Sequence, residues 1–430
     1  MKYAFVNGTI LDGTKDMKPV RGMVVLVNDG TIVDLVQQDG ADLTGYEVVD
    51  LAGGYLLPGL INLHVHLAAS GKPPKPNEKP KDYKKLFNVL TKSRIAMAIF
   101  QRQGDQSART ALMSGVTTLR TVGGILDFDG KTRDKVMAGK LDGPRILSAN
   151  TAVSVPGGHF AGSLATEART PAEAAANVRQ IAATKPDLIK LMITGGVMDA
   201  SEEGEPGVLR MPPDFVKAAC DEAHLLGYKV AAHVESPEGV RVALENGVDT
   251  IEHGAKPDEE ILKLFKERGA ADICTSSPAL PYAEFALSES NSPEIGKING
   301  KIVMDGVIDC AKACLANDIP VGLGSDVGCP FITNYNFWRE LYYFQKYCGV
   351  SSAFALYSAT LGNAQIAGID NITGSIKPGK SADLIVMDGN PLEDLTVLRN
   401  VRLVMLRGKL YKDLKYKKMP AVDALLDKYM

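Results

Sequence analysis

The chain has no C-x-x-C pair; its six cysteines, Cys220, Cys274, Cys310, Cys314, Cys329 and Cys348, are scattered. That spacing excludes a zinc ribbon and a thioredoxin-type redox pair, and it reads as reduced thiols in a cytoplasmic protein. No apolar run reaches the about 18 residues that a membrane-spanning helix needs, so no membrane partner is expected. The N-terminal "MKYAFVNGTILDG" breaks into Asn-Gly and Asp-Gly turns before a signal-peptide core could form. A basic excess is missing too: 48 Lys+Arg against 51 Asp+Glu leave a formal net charge of −3, which removes nucleic acid from the expected partners and favours a small molecule. Tryptophan occurs once and histidine only six times.

What is present is an ordinary globular composition, 45% hydrophobic and 23% charged over 430 residues, enough for one large domain and a smaller one. Residues 3–57 split into short β-type runs between turn pairs, and "SADLIVMDGNP" and "VRLVMLRGKLY" repeat that texture near the C-terminus. The two ends are therefore expected to form one small β-sandwich from residues 1–57 and 366–430. Between them stand eight strand-length apolar runs, at 59–67, 115–123, 144–150, 187–194, 228–234, 249–254, 271–277 and 320–326. Segments such as "TPAEAAANVRQIAAT" and "SPEGVRVALENG" alternate with them and carry helix-start signals and helical apolar spacing. Eight strand–helix repeats over residues 58–365 predict a (β/α)8 TIM-like barrel. The competing doubly wound sheet lacks its Gly-rich fingerprint after the first strand. A lysine- and proline-rich stretch at 70–93 and "TNYNFWRELYYFQKY" at 333–347 interrupt the rhythm, and both are candidates for walls or lids.

The few histidines are not randomly placed. In "INLHVHLAAS", His64 and His66 alternate along a strand and so share one side. His233 ends the fifth run, His253 the sixth and Asp326 the eighth, and the carboxyl ends of parallel barrel strands converge on one rim. Lys190 in "DLIKLMIT" puts an amine inside an apolar run, where burial favours the neutral form. A neutral amine can add carbon dioxide to become an anionic carbamate able to bridge two metal ions; pairing with Asp326 is the plainer alternative.

These motifs resemble the metal-dependent amidohydrolase superfamily over nearly the whole chain. "GYLLPGLINLHVHL" is similar to its first-strand motif, "IKLMITGGVMD" to its carboxylated-lysine strand, "AAHVE" and "IEHGA" to its fifth- and sixth-strand histidines, and "GLGSDVG" to its eighth-strand aspartate. "PGGHF" and "TGGVMD" are most like the imidazolonepropionase-related branch that includes Xaa-Pro and Xaa-Arg/Lys dipeptidases. The resemblance implies that His64, His66, Lys190 and Asp326 hold a more buried ion, and that His233 and His253 hold an outer one. Carbamylated Lys190 would bridge the two, with zinc as the expected metal. It further implies a bridging hydroxide, with Asp326 as general base and then general acid. His159 would bind the substrate's carbonyl oxygen or carboxylate. Asn334 and Tyr335 stand where relatives show His-Gly, and Tyr335 and Trp338 are expected to form an aromatic substrate wall. Glu235, in "ESPEG", is expected to cap the next helix, with contact to a substrate cation as the alternative.

The expected activity is hydrolysis of a small-molecule amide, a dipeptide or N-acyl amino acid, by a homo-oligomer. Hydrolysis of a cyclic amide or amidine, as in imidazolonepropionase- and deaminase-like members, is the alternative. A non-catalytic assembly protein is the third reading.

Overall fold

The apolar runs become buried parallel strands. In the computed structural model, which describes residues 1–75 and 83–430, every residue of Leu60–Val65, Val116–Thr121, Ile189–Met192, Val230–Val234, Thr250–His253, Ala271–Cys274 and Val321–Leu323 is buried. Burial on both faces is what near-continuous apolar runs require of parallel strands. Leu60–Val65, Val116–Thr121 and Arg145–Ser148 pair in that order in one parallel sheet. A second parallel sheet runs from Ile189–Met192 through Val230–Val234, Thr250–His253 and Ala271–Cys274 to Val321–Leu323.

The two sheets meet at both ends. Asp187 N–H donates to Ser148 O at 2.7 Å on one side. On the other, Val65 bridges Val327 in parallel and Asp326 N–H donates to His64 O at 2.9 Å. Asn363 ties the first and last strands together, its Nδ2 donating to Ile61 O at 2.7 Å and Leu323 O at 2.8 Å.

Two elements escaped the sequence reading. Ala152–Ser154 and Ala165–Glu167 add an edge to the second sheet beside Ile189–Met192, and the loop between them carries His159. The crossover helices start as their sequences predict. Thr170 and Ser236 cap helices Pro171–Ala182 and Pro237–Glu245, each with proline at the first turn, and Asp258 caps Glu259–Arg268.

The chain ends do pair: Tyr55–Pro58 runs antiparallel to Leu384–Met387, inside a five-stranded sheet. A four-stranded sheet, Thr31–Gln37, Met23–Asn28, Lys2–Val6 and Glu47–Asp50, shares a core cluster with it that includes Phe5, Val25, Leu56, Leu384 and Met405. The last helix, Pro420–Asp427, departs from this region: Val422 and Leu426 pack into the large core together with Trp338 and Leu341. Part of the 70–93 stretch lies outside the described residues; beyond it come helices Tyr83–Leu90 and Arg94–Met113.

Candidate active site

His64, His66, Lys190, His233, His253 and Asp326 all line one cavity of about 310 Å3 at the carboxyl ends of the parallel strands, and His159 lines it too. Close approach of the first and last strands is possible because residue 324 is glycine; a Cβ there would lie 2.4 Å from His64 Cβ. His253 and Asp326 both turn out of their strands in the left-handed region, at φ 73° and 52°, where non-glycine residues are uncommon.

Each imidazole is held by a hydrogen bond at one of its ring nitrogens. His66 Nδ1–H donates to Gly123 O at 2.6 Å, and His233 Nε2–H lies 3.3 Å from Gly195 O. A carbonyl only accepts, so each of these nitrogens carries a proton, and in the neutral ring the other nitrogen keeps its lone pair. His64 Nδ1 meets Glu252 Oε2 at 2.8 Å and His253 Nδ1 meets Thr275 Oγ1 at 2.7 Å. Such outer partners orient metal-binding histidines.

Glu252 is itself anchored. Arg120 donates to its Oε1 at 2.7 Å, to Thr250 Oγ1 at 3.1 Å and to Leu63 O at 2.7 Å. Burial works to protonate Glu252, but the Arg120 guanidinium and the His64 hydrogen bond outweigh it and hold the carboxyl well below the usual range. Beneath the cavity Arg120, Glu252 and His64 therefore form one buried, charge-compensated chain.

The electrostatics suit a cation. Burial lowers His64 to about 4 and carries His233 and His253 well below the usual imidazole range, so these rings are neutral at pH 7. Burial would raise Asp326, but His64 and His66 hold it ionised. Burial brings Lys190 down to about 8. Lys190 Nζ and Asp326 Oδ1 are buried without a hydrogen-bond partner; Oδ1 lies 3.2 Å from His66 Nε2 and 3.5 Å from His64 Nε2, in neither case with hydrogen-bond geometry. Candidate ligand atoms of His64, His253 and Asp326 lie within 4.8 Å of one another, and so do those of His233, Glu235 and His253.

His159 comes from the loop after Ala152–Ser154. Its Nδ1 meets Asp199 Oδ2 at 2.5 Å, and its ring stacks on His233 at 4.2 Å with the planes 9° apart.

Three expectations need correction. Glu235 is not the helix cap: the Ser236 hydroxyl accepts from Gly239 N–H, while Glu235 lines the cavity. Its Oε2 is buried and unpartnered, and burial, with Asp326 and Asp199 nearby, pushes the carboxyl up to about 8. The alternation that joined His64 to His66 also joins His233 to Glu235 and could have found it. Tyr335 and Trp338 do not line the cavity. Tyr335 Oη donates to Asp423 Oδ2 at 3.2 Å and accepts from Met419 N–H at 2.5 Å, while the guanidiniums of Arg339 and Arg399 lie 4.6 and 4.8 Å from the Trp338 ring. Both aromatic residues are thus taken up by contacts with the C-terminal segment or with residues that bind it; Arg339 pairs with Asp427 at 2.6 Å.

The amidohydrolase family model matches residues 55–411. The chain belongs to the amidohydrolase family. Among solved structures, a Bifidobacterium longum protein provisionally named a prolidase is 35% identical, covers 99% of this chain and 98% of its own, and superposes with a TM-score of 0.87. A Xaa-Pro dipeptidase with bound methionine in its active site is 28% identical over 96% of this chain and 100% of its own, with a TM-score of 0.83. Ochratoxinase of Aspergillus niger is 25% identical over 83% of this chain and 75% of its own length. Amidohydrolases typically use divalent metals, and the His/Asp groups of this cavity could hold them.

Proposed function

We propose that this amidohydrolase cleaves an amide bond in a small molecule, with a dipeptide or N-acyl amino acid as the substrate class. The parallel strands, meeting through Val65 and Asp326, are read as a (β/α)8 barrel, with the paired chain ends as a β-sandwich beside it. The observation that carries the functional reading is the pair of buried, unpartnered groups, Lys190 Nζ and Asp326 Oδ1, facing neutral imidazoles. Neutral imidazole lone pairs and an ionised carboxylate, converging beside a buried amine that has no hydrogen-bond partner, fit a pair of divalent cations. His64, His66 and Asp326 would hold one ion and His233 and His253 the other. Lys190, once carboxylated by carbon dioxide with release of a proton, would reach both. Zinc suits this imidazole and carboxylate set.

Bound ions of this kind lower the pKa of water and polarise a carbonyl. The chain's own residues supply the rest. Asp326, ionised in its ring of histidines, takes a proton from the attacking water and passes it to the leaving amine. His159, oriented by Asp199, offers Nε2 to the substrate. Relatives named as prolidase and Xaa-Pro dipeptidase support acyclic amides over the cyclic-amide alternative.

The test is metal analysis of protein purified without chelator, joined to a screen of dipeptides and N-acyl amino acids. About two ions per chain and turnover in that screen are expected. Well under one ion per chain removes the metal reading, and silence with turnover of a cyclic amide moves the substrate class.

A further inference from the structure

Besides the histidines, the cavity is lined by apolar side chains. Phe87 and Leu90 from Tyr83–Leu90, Met97 and Phe100 from Arg94–Met113, Ile125 after the second strand and Phe160 after Ala152–Ser154 all line it, an apolar wall drawn from two helices and two loops. Phe87, Leu90, Met97, Phe100 and Phe160 are only half-buried, so apolar surface is left facing the space. Among the described lining residues, the side chains with a formal charge are Lys190, Glu235 and Asp326, all beside the histidines and none on this wall.

Phe160 joins the wall to the reacting end. Its ring centroid lies 4.1 Å from that of His159 and 6.4 Å from that of His66. Its backbone has φ 51°, an outlier for so bulky a residue, and is held there by three donors to its carbonyl: Ser163 Oγ at 2.8 Å, Ser163 N at 3.0 Å and Ala165 N at 3.2 Å. A strained conformation fixed from several sides marks a residue whose position serves the site.

Resting on the amide-hydrolase reading above, we infer that the substrate carries a bulky uncharged apolar group, an aromatic ring above all, beside its scissile amide, and that this group seats on the wall from Phe87 to Phe160. Aromatic rings pack on such a wall by offset or edge-to-face contact. A charged side chain placed there would lose its water and find no partner on the wall. Arginyl, lysyl and aspartyl substrates are therefore rejected.

The experiment compares kcat/KM for N-acetyl and N-benzoyl amino acids carrying Phe, Leu, Gly, Arg or Asp. Substrates with an aromatic ring should exceed those of similar size bearing a charge by about 10²-fold or more. Phe100→Ala should shrink the ratio of N-acetylphenylalanine to N-acetylglycine turnover by about tenfold, mainly through KM. Phe100→Leu should restore part of the ratio; matched circular dichroism establishes that both variants are folded. Amide turnover that favours charged or small residues overturns the inference and leaves the hydrolase reading standing. Turnover of no acyclic amide removes both.

Discussion

His64, Lys190, His233 and His253 stand on parallel strands whose every residue is buried, whereas Phe87, Leu90, Met97 and Phe100 stand on two helices with exposed outer faces. On the strand floor, position is over-determined. Each imidazole has a hydrogen-bond partner, and one of these, Glu252, is locked by Arg120 and Thr250. The helical wall is tied down by single polar contacts, Lys84 to Glu167 and Gln101 to Phe128 O and Thr132 Oγ1, and Val89, Ile95 and Ile99 on the same helices are exposed. Chemistry that needs groups held to fractions of an ångström is built on the rigid part; recognition of bulk and polarity tolerates the less constrained part. A change in the floor should therefore alter the rate for every substrate alike, and a change in the wall should alter the ratio between substrates.

The largest expected effect is on the floor. Asp326→Asn keeps the shape but removes the base, and kcat should fall by about 10²- to 10⁴-fold with the aromatic-to-small preference intact. Steady-state kinetics on N-acetylphenylalanine and N-acetylglycine check this. A changed preference would show that floor and wall are not separate. Next is Glu252→Gln, which leaves an acceptor for His64 Nδ1 but removes the charge compensating Arg120. Affinity for zinc should drop by about 10- to 100-fold in a competitive chelator titration of the folded fraction. Unchanged affinity would mean that the buried chain below the floor does not orient His64.

The same division decides what could be read before folding. His64 and His66 declare themselves by strand alternation, Lys190 by an amine inside an apolar run, and the parallel strands by strand–helix rhythm; these are local signals that burial then obeys. Glu235 shared the alternation with His233 but sat in a stretch that also reads as a cap, and Ser236 took that role. The wall had no local signal. Which face of Arg94–Met113 meets the cavity depends on how the segment after the first strand folds back, and helical apolar spacing does not contain that. Trp338 stood out by rarity, yet what surrounds it is set by Arg399, Asp423 and Asp427, some 60 to 90 residues further along the chain.

The smallest effect sharpens that last point. Tyr335 follows the eighth strand, where an aromatic wall was expected, but its hydroxyl serves Asp423 and Met419 of the C-terminal segment. Tyr335→Phe keeps the ring and deletes two hydrogen bonds in a partly buried setting. Net hydrogen bonds of this kind are worth about 0.5–1.5 kcal/mol each, and the Met419 N–H can turn to water at this edge. The variant should thus lose about 1 kcal/mol in denaturant unfolding, read as a lower midpoint at unchanged slope. Its preference among N-acyl amino acids should equal that of the wild type, because Tyr335 does not line the cavity and its hydroxyl is engaged by Asp423 and Met419. A preference altered without loss of stability would return Tyr335 to the substrate wall and move the boundary between floor and wall to the far side of the cavity.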